Sequence, residues 1–281
     1  MTDVLISFAG RAVSIRCDDW AARQFIDRLF HDLAGDETAC PDTTLTLGPD
    51  LETGGYQLAG EGTILGGGPL GVGLAALLFD AVIAGLLERN AEGLALHAGA
   101  VASHDKVVLL PGVSGAGKST LTAWLVAQGC SYLTDELVFF GDDLPARMLA
   151  FTRPLCIKPG AAQVVRPLIR TDVPAALADE QGLIVPHRAV NPAFAPVAAL
   201  PALILFPAYH PETPITVERI STARTIALLM GCNVNGRNLV NHGFSRVTRL
   251  ASCAPAHRVV YSRFEDLAAV LPQLLAGSER A

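Results

Sequence analysis

The largely apolar run from Val4 to Ile15 (VLISFAGRAVSI) is broken by Gly10 and Arg11 and resembles two short strands about a glycine-containing turn. The next stretch, WAARQFIDRLFHDLAG, repeats its apolar residues at helical spacing and predicts a helix. LTLGP and YQLAG give weaker strand signals, and a glycine-rich turn at Gly66 to Gly68 is expected to lead into a helix ending near Arg89. Together these elements predict a small α+β domain over residues 1–90.

From Leu94 the pattern changes to apolar strand, loop, helix and strand: LALHAGAVA, KVVLL, a glycine loop, STLTAWLVAQG and SYLTDELVFF. This alternation predicts α/β architecture over residues 91–281. Gly129 is placed to end the helix, because glycine adopts the left-handed conformation without steric cost. Further on, RPLCIKPG, PALILFPAY and HRVVYS read as strands and FEDLAAVLPQLLAG as a closing amphipathic helix.

Composition narrows the class. Hydrophobic residues make up 51% and charged residues 17% of the 281, enough apolar material for a sizeable core and unlike a disordered chain. A net charge of -6, with no run of Lys and Arg, gives no footprint for a polyanion, so nucleic acid is not expected as a partner. The apolar stretch from Gly62 to Leu87 is broken by GGGPLGVG and carries Asp80, which favours a buried helix over a membrane span. MTDVLISFAG lacks the basic and apolar segments of a signal peptide, and the six cysteines form no CxxC pair. Reduced thiols and a cytoplasmic location are therefore expected.

One segment carries specific chemistry. GVSGAGKS, Gly112 to Ser119, has the spacing G-x-x-x-x-G-K-[ST]; it follows the apolar run Val107 to Leu110 and precedes a helical pattern. Glycines let the backbone curl so that successive N–H groups point at a phosphate, and a helix amino terminus adds a favourable dipole. The expected nucleotide-binding residues are Gly112, Val113, Ser114, Gly115, Ala116, Gly117, Lys118, Ser119 and Thr120. Lys118 would meet the β- and γ-phosphates, and the Ser119 hydroxyl is the expected Mg²⁺ ligand, making ATP and Mg²⁺ the expected cofactors. A phosphoryl-transfer site also needs a carboxylate, and TDEL places Asp135 and Glu136 on the strand after the first helix. His97 lies in the strand before the loop, where a lone histidine among apolar residues is more often a satisfied core residue than a catalyst.

LHAGAV, then GVSGAGKST, then QGCSYLTDELV, resembles the catalytic domain of HPr kinase/phosphorylase and its kinase-like relatives. In that family a Met-His-Gly or Leu-His-Ala strand precedes the P-loop and a Gly-His-Arg-Leu-x-x-Asp-Asp segment follows it. The resemblance covers about residues 90–270, strongly over the first fifty. It implies a P-loop kinase domain of the HPr kinase and phosphoenolpyruvate carboxykinase type, preceded here by the small α+β domain. It makes Asp135 the general base toward the acceptor hydroxyl, Glu136 a direct or water-mediated metal contact, and His97 a catalytic residue near the reacting phosphate. No Glu-x-Arg-Gly segment follows Asp135, and the amino-terminal domain differs, so kinase activity is expected rather than phosphorylase.

The function expected is transfer of the γ-phosphoryl group of ATP to a serine-type hydroxyl of a protein or peptide. A small-metabolite kinase and a nucleotide-controlled regulatory protein with weak ATPase activity are the alternatives. Neither an Asn-Lys-x-Asp guanine motif nor an LSGGQ-like signature occurs. Arg153, Lys158 and Arg188 are basic side chains open to a phosphate, an acceptor or solvent. Residues 1–90 show no motif with chemistry, which leaves packing, partner binding or a homo-oligomer interface as their roles.

Overall fold

The structure, a computed structural model, describes residues 2–33, 40–104, 106–142, 147–170, 177–194 and 197–277. The chain divides into two compact units. The first comprises Met1–Asn90, Arg153–Gln163 and Thr171–Pro186, and the second Ala91–Thr152, Val164–Arg170 and His187–Ala281.

The first unit opens with β1 (Thr2–Phe8), β2 (Arg11–Cys17), α1 (Trp20–Phe30), β3 (Thr43–Pro49), β4 (Tyr56–Gly60), β5 (Thr63–Gly68) and α2 (Val72–Leu87). The five strands form one sheet in sequence order, antiparallel except for the β2–β3 pair. The glycines expected as a turn at Gly66 to Gly68 instead complete β5. A side chain at Gly67 would bring its Cβ to 2.4 Å from the Tyr56 carbonyl oxygen, so glycine permits the close pairing with β4. Helix α1 begins at the N-cap Asp19, whose carboxylate accepts from the Ala22 N–H at 2.8 Å and from the Tyr56 hydroxyl at 2.9 Å.

Those bonds favour ionised Asp19. The Ala22 N–H acts first and the Tyr56 hydroxyl second to hold its carboxyl below the usual value of 3.8. Because the folded-state value is the lower one, the stabilisation is present above pH 3.8 and lost as the pH falls through the folded value. Asp19→Ala is therefore expected to lower Tm at neutral pH, with the two melting curves converging in acid. Circular dichroism melts from about pH 2 to about pH 7, across the carboxylate range, check this, and a gap that persists in acid would contradict it.

The second unit begins with β6 (Gly93–Ser103), β7 (Lys106–Pro111), α3 (Lys118–Ala127), β8 (Ser131–Thr134), β9 (Leu137–Gly141) and β10 (Met148–Ala150). SYLTDELVFF, read as one strand, is two: Asp135 and Glu136 lie at the break between β8 and β9. The Thr134 hydroxyl organises that break by donating to the Phe151 carbonyl at 2.7 Å and accepting from the N–H groups of Glu136 and Leu137. Helix α3 ends as expected, with Gly129 left-handed at φ 99° just beyond it.

The chain then contributes β11 (Leu155–Ile157), α4 (Pro159–Val165), β12 (Leu177–Asp179) and β13 (Gly182–Val185); these three strands form an antiparallel sheet in the order β11-β13-β12, within the first unit. There Asp179 accepts from the Val72 N–H at 2.8 Å and so caps α2 from a distant point in sequence.

The rest of the second unit is β14 (Val197–Ala198), β15 (Pro201–Tyr209), β16 (Thr216–Arg219), α5 (Thr222–Met230), α6 (Phe244–Cys253), β17 (Ala256–Tyr261) and α7 (Phe264–Gly277). Its nine-stranded mixed sheet runs β14-β10-β9-β6-β7-β15-β17-β16, with β8 also paired to β6. β7, β15 and β17 run parallel at the centre. On one face Leu96, Ala98, Val107, Leu109, Ile204 and Phe206 join a core with Leu229, Val247 and Leu250 of α5 and α6. Helix α3 covers the other face, where a Cβ on Gly99 would come within 2.7 Å of the Thr122 hydroxyl. Among the described residues, no helix is long and apolar enough to cross a membrane.

Candidate functional site

The central strand β7 is buried from Val107 to Pro111 and delivers the chain into the loop of residues 112–117, from which α3 departs. Gly115 and Gly117 have φ of 89° and 88°, the left-handed region where a side chain is strained. Glycine at these positions turns the backbone back so that it meets the helix amino terminus. The first turn of α3 holds no acidic side chain, which leaves the partial positive charge of the helix end uncompensated from within the helix.

Lys118 is only 5% exposed. Its ammonium donates to the Gly112 carbonyl at 2.8 Å and to the Val113 carbonyl at 3.0 Å, so it folds back across the loop rather than extending into solvent. These are bonds a strong anion would outcompete, because charged partners bind an ammonium more strongly than carbonyls do. Ser119 and Thr120 follow in the first turn, both partly exposed.

The two edges of the loop differ. On the β6 side, Ala98 pairs with Pro111, which puts His97 level with the loop's first residue. Side chains alternate along a strand, so His97 shares the α3 face with Gly99. Its Nδ1 lies 2.8 Å from Glu136 Oε1, while the main chain is fixed by Ala98 N–H donating to the Glu136 carbonyl and His97 N–H donating to the Cys232 carbonyl. This bond leaves Nε2 as the ring atom available to another group. Glu136, expected at the metal, thus has its Oε1 committed to His97.

Asp135 is 1% exposed, and Tyr132 supports it from two directions. The Tyr132 hydroxyl donates to Asp135 Oδ1 at 3.3 Å and accepts from the Asp135 N–H at 3.1 Å. The Tyr132 ring is stacked on His187, with centroids 4.6 Å apart. Among the described residues no three His, Cys, Asp or Glu side chains converge as a self-contained metal cage. A magnesium ion in a nucleotide site needs no such cage, since phosphates and water supply most of its oxygens.

Sequence reasoning did not find Cys232. It is buried, its carbonyl holds His97, and its thiol is pushed up by burial while the Lys118 charge and the Gly112 N–H act in the opposite direction. Of the other basic candidates, Arg153 and Lys158 belong to the first unit, where Arg153 lies 4.8 Å over the Phe79 ring, and Arg188 lies 4.0 Å over Phe194 in the second. None of the six cysteines is in a disulfide.

On the β15 side, an open cleft of ≈ 780 Å³ borders the loop and reaches Tyr209, α5 and Arg258. No family model matches the chain, and no curated protein matches it. Among solved structures it is similar to the Hpr(Ser) kinase/phosphatase from Coxiella burnetii, at 14% identity over 66% of this chain and 95% of that chain, with a TM-score of 0.33. That likeness is distant, and the functional reading rests on the site itself.

Proposed function

We propose that the second unit is an ATP- and Mg²⁺-dependent kinase that passes the γ-phosphoryl group to a hydroxyl of a protein or peptide. The observation that carries the reading is the position of Lys118, folded into a left-handed glycine loop at a helix amino terminus, beside His97 and Glu136 from the neighbouring strands. The loop N–H groups and the helix end would hold the phosphates, and Lys118 would leave its carbonyls for them. Ser119 and Glu136 would hold Mg²⁺, which neutralises charge developing on the phosphates when bound.

In this reading His97, oriented by Glu136, presents Nε2 toward the reacting phosphate. Asp135 takes the acceptor proton. Its burial means that a bound acceptor must uncover it, and hydrogen bonds at such sites often tighten only in the complex. The same burial favours a second reading, in which the site binds nucleotide and regulates a partner with only slow hydrolysis.

Incubation with γ-labelled ATP, Mg²⁺ and a cell extract separates the two. A kinase labels a discrete protein or peptide, whereas the regulatory reading predicts free phosphate alone. Ser119→Ala is expected to weaken ATP binding preferentially in the presence of Mg²⁺. Titration with and without EDTA checks this, and equal losses under both conditions would remove Ser119 from the metal.

A further inference from the structure

The phosphate loop has two flanks, and only one is closed. On the β6 flank, the His97–Glu136 pair stands at the loop, and residues 232–234 are hydrogen-bonded along β6 through the Cys232 carbonyl, a bridge from Asn233 to Leu96, and the Val234 N–H to the Ala95 carbonyl. On the β15 flank the cleft stands open. β15 runs parallel to β7, so its carboxyl end continues past the loop, at the end of the sheet where parallel strands of open α/β sheets receive ligands.

One wall of that cleft is Tyr209, the last residue of β15. It is 51% exposed, yet its ring is held in place: Tyr261, 1% exposed, meets it edge-on with centroids 5.9 Å apart. Both tyrosines abut the loop, since a Cβ on Gly117 would lie 3.3 Å from the Tyr261 hydroxyl oxygen and 3.6 Å from Tyr209 Cβ. Ala227 and the exposed Leu228 of α5 also line the cleft. Arg224 and Arg258 stand at the same cleft and add positive charge, Arg224 bonded to Glu218 at 2.7 Å. An exposed aromatic ring held by a neighbouring ring, in a cleft with aliphatic lining that borders the glycine loop, suits a flat heterocycle joined to phosphates. The cleft volume falls within the range of small-ligand sites, about 300 to 1,000 Å³.

We propose that this cleft binds the nucleoside half of the triphosphate, with its base stacked on Tyr209. The proposal rests on reading residues 112–119 as the phosphate site. Stacking tolerates any base, because every base has a π-face, so Tyr209 supports ATP and GTP alike.

The test is calorimetric titration of wild type, Tyr209→Ala and Tyr209→Phe with the magnesium complexes of ATP, GTP and inorganic tripolyphosphate. Tyr209→Ala is expected to weaken ATP and GTP by about 5- to 100-fold and to leave tripolyphosphate unchanged, whereas Tyr209→Phe retains nucleotide affinity. Unchanged ATP affinity in Tyr209→Ala would overturn the proposal. So would a parallel loss of tripolyphosphate, which would show the ring acting through Gly117 and the loop. A wild type that binds neither ATP nor tripolyphosphate overturns the phosphate site and this cleft together; tripolyphosphate binding with no dependence on Tyr209 overturns the cleft alone.

Discussion

Asp135→Asn is expected to keep ATP affinity and to lose phosphoryl transfer by about 10²- to 10⁴-fold, the contribution typical of a positioned general base. The amide retains a carbonyl oxygen for the Tyr132 hydroxyl, which donates to Oδ1 at 3.3 Å in the native protein, so the break between β8 and β9 should keep its shape. It cannot take a proton from a hydroxyl acceptor. Binding and turnover should therefore separate. Transfer to the labelled acceptor is measured beside nucleotide affinity, in wild type and variant together. Equal transfer rates would remove Asp135 from the mechanism, and the accessible His97, already oriented by Glu136, would be the next group to examine by His97→Gln.

Lys118→Ala is expected to reduce triphosphate affinity by about 30- to 1,000-fold, the range for truncating one partner of a desolvated charge pair. The lysine is 5% exposed and bonded to Gly112 and Val113 carbonyls, so the substitution also removes two bonds that brace the loop in the free protein. The variant therefore needs a melting curve beside its titration. A large loss of affinity with little change in Tm is the expected result. Unchanged affinity would contradict the phosphate-site reading.

Local signals carried much of the layout. The largely apolar run from Val4 to Ile15 becomes β1 and β2, the helical spacing after it becomes α1, and the glycine loop lies between an apolar strand and a helix. What the sequence hid depends on tertiary packing. Gly66 to Gly68 look like a turn because glycine clusters usually break structure, yet here they let β5 approach β4. TDEL reads as continuous strand because the Thr134 hydroxyl bonds that split it run partly to Phe151, seventeen residues away. Helices α5 and α6 have no counterpart in the sequence reading, although Val247, Leu250 and Ala251 of α6 keep helical spacing.

The site shows the same division. The glycine loop was legible because its pattern is local to eight positions. The anchoring of Asp135 by Tyr132 is nearly as local, three residues apart, but no motif marks it. Cys232, Tyr209 and Tyr261 lie far along the chain and come to the loop only through the order of β6, β7, β15 and β17, which no periodicity encodes.

The central claim is that residues 112–119 hold a nucleoside triphosphate, and a crystal structure with Mg²⁺ and a non-hydrolysable ATP analogue tests it most directly. The account predicts the phosphates inside the loop, Lys118 Nζ moved from the Gly112 and Val113 carbonyls onto phosphate oxygens, and the metal at about 2.1 Å from the Ser119 hydroxyl. An analogue bound elsewhere, with Lys118 still on its carbonyls, would contradict it.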